Sequence, residues 1–220
     1  MNTKYLNLSM IRIIFFSLIL LSACKSDIKP TSYTEILEVY NTIEEGESHR
    51  RGDLQHYESK NFKNDRHVET LYYEANGEIK GKEIFIYENS EAYPSKAEYR
   101  DGNNNLLSTY TFTYNPKGQK IRTEAYEAGS EELLRVETFT YENDRRKSKE
   151  IRNSDEIVQR SFLFEFDGYG NEIAMIVTGA TGDTLAVETY EITLRDDNNK
   201  WVEKWGFTND QPSTYQVLKK

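Results

Sequence analysis

Aromatic residues recur along this chain at a nearly fixed interval. Phe62, Tyr87, Tyr114, Tyr141, Phe166 and Leu194 each end a strand-like run and open a polar turn, at spacings of 25, 27, 27, 25 and 28 residues. A second set, Tyr73, Tyr99, Tyr126, Ile151, Val177 and Trp205, keeps spacings of 26, 27, 25, 26 and 28. Two independent anchors on one period imply one supersecondary unit, copied about five and a half times.

Each unit reads as two strands and two turns. Tyr110, Phe112 and Tyr114 alternate with Thr109, Thr111 and Thr113. Phe162, Phe164 and Phe166 alternate with Ser161, Leu163 and Glu165. A period of two in aromatic and β-branched residues is a strand signature. Asn76-Gly77, Asp101-Gly102, Asn115-Pro116-Lys117-Gly118, Asp167-Gly168 and Gly182-Asp183 supply residues that accept turn geometry. The expected fold is all-β: an elongated, twisted antiparallel β-meander of about twelve strands. Its last strand is expected near Thr214 to Leu218, and its Thr/Glu/Lys/Arg face in solvent. Ile36, Val39, Tyr40 and Ile43 suit a helix or a strand; the meander around them favours a strand. A transmembrane barrel is not expected, because neither strand face forms an apolar band.

The chain's single cysteine carries the second message. Lys4 and Arg12 precede an apolar run from Ile13 to Leu21, followed by Ser22, Ala23 and Cys24. That order is a secretory signal, and the run is short of the roughly 20 residues that span a bilayer. Leu21-Ser22-Ala23-Cys24 resembles the lipobox of bacterial lipoproteins. The resemblance implies cleavage before Cys24, acylation of its sulfur, and anchoring to a lipid bilayer. Two or more acyl chains anchor stably. Lys25 in place of Asp resembles the sorting signal for the outer membrane, facing periplasm or cell surface. The organisation is then a cleaved signal over 1–23, a lipidated N-terminus and tether over 24–31, and one repetitive domain over 32–220. The tether spans at most roughly 25 Å.

Composition narrows the partners. The chain has 28 Lys and Arg against 37 Asp and Glu, and loss of Lys4 and Arg12 with the signal takes the net charge from −9 to −11. That disfavours nucleic acid. With 16 Tyr and 10 Phe the chain is too aromatic to be disordered.

The units resemble the YD repeats of RHS-type proteins, which carry Tyr-x-Tyr-Asp-x-x-Gly. The nearest copies are Phe164-Glu-Phe166-Asp167-Gly-Tyr-Gly170 and Phe112-Thr-Tyr114-Asn115-Pro-Lys-Gly118. Phe139-Thr-Tyr141-Glu142 and Phe85-Ile-Tyr87-Glu88 depart further. The resemblance covers roughly residues 54 to 207 and implies a strand meander outside the cytoplasm, with carbohydrate or protein as partner.

Little in the sequence points to catalysis. No Gly-x-Ser-x-Gly, His-Glu-x-x-His or phosphate loop occurs. His49, His56 and His67 are irregularly spaced and read as solvated. Arg51-Gly52-Asp53 reads as a chance tripeptide. The Asp-rich turns at 101–105 and 196–199 read as hairpin loops rather than Ca²⁺ sites. The expectation is a monomeric, non-enzymatic envelope protein with no cofactor and no metal, acting as an interaction or structural module. The alternative is glycan binding through exposed aromatics, with Trp201 and Trp205 the candidate ligand residues because sugars stack on such rings.

Overall fold

A computed structural model describes residues 31–45, 48–88 and 92–220. The signal segment, Cys24, most of the tether, the Glu45-Gly46-Glu47 turn beyond Glu45 and Asn89 lie outside the described residues. The chain divides into two units, Met1–Pro30 and Thr31–Lys220, and the strands belong to the second.

That unit forms fourteen strands: β1 Ser32–Glu45, β2 Ser48–Lys63, β3 Arg66–Glu74, β4 Ile79–Ile86, β5 Lys96–Asp101, β6 Leu106–Tyr114, β7 Lys120–Glu127, β8 Leu133–Glu142, β9 Arg145–Asn153, β10 Val158–Phe166, β11 Glu172–Gly179, β12 Thr184–Arg195, β13 Trp201–Thr208 and β14 Gln211–Lys219. Each pairs antiparallel with its sequence neighbour. β1 also pairs with β14, from Ile36↔Lys219 to Tyr40↔Tyr215, so the sheet is a closed barrel. The expected open, elongated meander of about twelve strands is corrected on both points. The ambiguous Ile36–Ile43 segment is strand. With β2 it makes a long hairpin that supplies β14 with its partner.

Twist and bulges explain the closure. Strands twist right-handed, and a β-bulge adds bend and twist. Register shifts recur at one end, at Asn61/Phe62, Thr113/Tyr114, Thr140/Tyr141 and Glu165/Phe166. They recur at the other at Tyr72/Tyr73, Tyr99/Arg100, Ala125/Tyr126 and Val177/Thr178. Most hairpins therefore bend the sheet the same way.

The turns follow side-chain chemistry. Asn64-Asp65, Asn143-Asp144 and Asn209-Asp210 hold both residues at positive φ, between 50° and 65°. That twist matches the flanking strands, and Asn and Asp tolerate it. Longer turns are closed by one side-chain oxygen. Asn115 Oδ1 accepts from the Lys117 and Gln119 amides, both at 3.0 Å. Asp167 Oδ1 accepts from Tyr169 and Asn171 at 2.9 and 2.8 Å. Asp196 Oδ1 accepts from Asn198 and Lys200 at 2.9 Å. Gly118 and Gly170 sit in the left-handed region, at φ 78° and 84°, which is what Asp/Asn-x-x-Gly needs a glycine for.

The tyrosine that ends the incoming strand has its own task. Tyr87 Oη donates to the His67 carbonyl (2.9 Å), Tyr114 Oη to Pro94 (3.0 Å) and Tyr141 Oη to Lys120 (2.8 Å). Each bond ties one turn to the start of the neighbouring strand. Phe166 has no hydroxyl, and there Arg145 donates to the Asp167 and Gly168 carbonyls instead, at 2.8 and 3.2 Å.

The aromatic face turns inward. A belt of rings runs inside the barrel: Tyr33 on Phe62 (4.6 Å), Phe62 on His67 (5.0 Å), His67 on Phe85 (4.3 Å) and Phe85 beside Phe112 (6.4 Å). Outside, Thr109, Thr111, Thr138 and Thr140 alternate with ion pairs such as Arg100–Glu98 (2.7 Å) and Arg122–Glu124 (3.0 Å). Exposed aliphatics such as Leu107, Leu134 and Leu185 follow the turns at one rim, so they form no band around the strands.

Tyr141→Phe keeps the ring and deletes the bond to Lys120. The expected cost is about 1 kcal/mol, read as a lower urea midpoint at unchanged m-value; an unchanged midpoint would mean the tie is dispensable.

Candidate functional site

The interior is polar as well as aromatic, and its chemistry gathers on β3 to β8. Strand alternation and register bring Tyr72, Glu83, Tyr99, Tyr110, Phe112, Lys120, Thr123, Arg135 and Glu137 around one pocket of about 240 Å³. Glu83 lies opposite Thr70 and Tyr99, and Thr123 lies opposite Phe112 and Glu137. Small neighbours make the room. Ala97, Ser108 and Ala125 are buried on the same face. Gly81 admits Tyr99, for a Cβ there would stand 2.8 Å from Tyr99 Oη and 2.9 Å from the Arg100 carbonyl.

Burial sets the electrostatics. Desolvation pushes the Glu83 carboxyl up, opposed by Lys120 and a long hydrogen bond from Tyr72 (3.5 Å). Desolvation pushes the Lys120 ammonium down, opposed by Glu137 and Glu83. The Tyr72 hydroxyl is driven above its usual range, first by burial and then by Glu83 and Glu58. Lys120 Nζ stands over Phe112 and Phe139, at 4.9 and 5.3 Å from the ring centres. Lys149 stands over Phe162 at 4.3 Å. Ring faces thus share the work of holding desolvated cations. The wall combines donors, acceptors and flat apolar faces, a set that grips a polar ring-shaped ligand by stacking and hydrogen bonding.

A second interior group lies on β11 to β13. Lys204 is only 7% exposed and sits over Tyr190 (3.8 Å) and Trp201 (4.5 Å). Burial pushes its ammonium down, against the pull of Glu172 and Glu188. Trp201 lines a cavity of about 360 Å³ with Phe166, Glu172 and Leu218.

The two tryptophans part company. A register shift at Leu194/Arg195 breaks the alternation between them. Trp205 packs on Tyr215 (4.4 Å) and under the edge of His49 (4.5 Å). The distal β1–β2 hairpin folds onto β13 and β14 there, held also by Thr42 Oγ1 donating to the Pro212 carbonyl at 3.0 Å. Trp205 is therefore the centre of a small packed cluster, while Trp201 faces a cleft at the barrel rim, bounded also by Gly170, Lys200 and Lys220.

Of the histidines, His67 belongs to the ring belt and is not solvated; burial pushes its imidazole down. His49 packs on Trp205 and Phe207. Arg51-Gly52-Asp53 lies within β2. Asp101 spends both oxygens on its own turn, and Asp196 closes its turn through Oδ1 while Oδ2 lies 3.9 Å from Lys220 Nζ. Among the described residues no group of three or more His, Cys, Asp or Glu is placed to hold a metal ion.

Sequence reasoning passed over Glu83, Lys120, Glu137, Lys149 and Lys204. The signal was available for two of them. Glu83 and Glu137 stand two residues before Phe85 and Phe139, and so share the aromatic face.

No family model matches the chain, and no curated protein matches it. Solved structures do. A porin-like protein from Bacteroides uniformis shares 13% identity over 84% of this chain and 94% of its own, with a TM-score of 0.45. A protein from Arabidopsis thaliana shares 10% identity over 82% of this chain and 79% of its own, at 0.34. The Photorhabdus luminescens Tc holotoxin pore shares 11% identity over 82% of this chain, at 0.20, and this chain spans 14% of its length.

Gly81→Ala should force Tyr99 out of place. A collision with a backbone carbonyl costs about 1–3 kcal/mol in a packed interior, so a lower thermal midpoint is expected; a midpoint equal to wild type would mean the close approach at Gly81 is not needed.

Proposed function

We propose that this is a non-enzymatic lipoprotein of the cell envelope, held to the bilayer by acylated Cys24, whose barrel interior binds a saccharide. One observation carries the binding reading: tyrosine rings, carboxylates and cations converge on the pocket between β3 and β8. The alternative module, engaging protein through strand edges or an exposed aromatic face, is less well supported. The β1–β14 pairing uses up the edges; the belt from Tyr33 to Phe112 points inward, and of the outer rings Trp205 and Tyr215 are packed together beside His49. Closure likewise supports a monomer. The polar outer face supports a lipid anchor rather than a membrane-spanning barrel, and Lys25 supports the outer membrane as its address. The unit at Tyr114, Asn115 and Gly118, where a tyrosine tie meets a side-chain-closed turn, supports reading the units as YD-like.

Two measurements test this. Labelled palmitate should attach to wild type and not to Cys24→Ala; an unlabelled wild type sinks the anchor. On arrayed glycans the purified protein should bind saturably. Tyr99→Ala should weaken binding about tenfold, the cost of roughly 1.4 kcal/mol of lost stacking. Trp205→Ala should leave the affinity of the folded protein unchanged. No binding to any glycan returns the protein-interaction module to first place.

A further inference from the structure

The interior cations are not matched evenly by carboxylates. Arg135 and Glu137 form a pair at 3.4 Å, and Arg146 approaches Glu172 at 3.7 Å. Lys120 and Lys149 have no carboxylate oxygen within ion-pair distance among the described residues. Lys149 stands across the sheet from Phe139. The groups it faces are Glu137, which Arg135 already holds, and the cations Arg146 and Arg135. Lys120 faces Arg146 and Lys149 besides its two carboxylates. Arg146 also keeps a buried Nε that has no hydrogen-bond partner. The desolvated Lys120 and Lys149 thus have like charges as neighbours, with the partly exposed Arg135 and Arg146 beside them, an arrangement whose free energy falls when an anion enters.

Resting on the saccharide reading above, we infer that Lys120, Lys149 and Arg146 form an anion subsite beside the tyrosine-lined pocket, and that the ligand is an acidic saccharide. Its ring lies against Tyr99 and Tyr110. Its carboxylate or sulfate meets the two ammoniums and the exposed side of the Arg146 guanidinium. The ring faces of Phe112 and Phe162 hold the lysines in position while the subsite is empty.

Titration calorimetry of the purified protein decides this with three probes: a glucuronate-containing oligosaccharide, its neutral glucose counterpart, and sodium sulfate. The acidic oligosaccharide should bind at least tenfold more tightly than the neutral one, and added NaCl should narrow the gap. Lys149→Met, which keeps the stem and removes the charge, should abolish the preference, and Lys149→Arg should restore it. Equal binding of the acidic and neutral sugars overturns the anion subsite and leaves the saccharide reading standing. Saturable sulfate binding without either sugar keeps the subsite and overturns the saccharide reading. Binding of none of the three overturns both. Should Lys149→Met fail to fold, the acidic-to-neutral ratio of wild type alone decides.

Discussion

Backbone pairing between β1 and β14 converts a sheet with two open edges into a barrel, and the interior exists only because of it. An open meander of these strands would leave two rows of unpaired amides and carbonyls, and an aromatic face in water. Pairing Val39 with Gln216 and its neighbours satisfies those groups. It also gives the aromatic face an inside to occupy. The long β1–β2 hairpin is the element that makes this possible, since it ends the chain of hairpins beside β14.

A barrel of fourteen strands is too wide for short aliphatic side chains to fill. This chain fills its interior with long ones: Tyr72, Tyr190, Lys120, Lys149, Arg146 and Lys204. Such side chains reach far but bring polar tips. The rings then serve twice, as apolar packing and as the partners of desolvated cations. A wall of this kind stays polar enough to receive a hydrophilic ligand, which an aliphatic core could not.

Repetition makes the construction economical. The unit at Tyr114 combines a side-chain-closed turn, a bulge and a tyrosine tie to the start of the preceding strand. Where a unit departs from the pattern, as at Phe166, the tie is kept by reversing it through Arg145. The bond matters to the barrel rim, and the residue that supplies it can change.

The strands, their alternation and most turns were legible in the chain, because period two, Asn, Asp and Gly act locally. Ile36–Ile43 suits a helix or a strand by its spacing, and pairing with β2 and β14 makes it a strand. Closure was not legible. It depends on twist summed over all the strands and on bulges of a single residue, and no local pattern records that sum. The polar interior was hidden for the same reason. Glu83 and Glu137 alternate correctly with Phe85 and Phe139, yet a charged residue reads as solvent-facing until the curvature of the sheet assigns each face. Trp201 and Trp205 share a face by simple alternation, and one bulge parts them. The sequence by itself determined the all-β class and the antiparallel meander, since these are written in local residue order. Only the tertiary structure decided which face became the inside and which charges had to share it, because both follow from how the whole sheet bends back on itself.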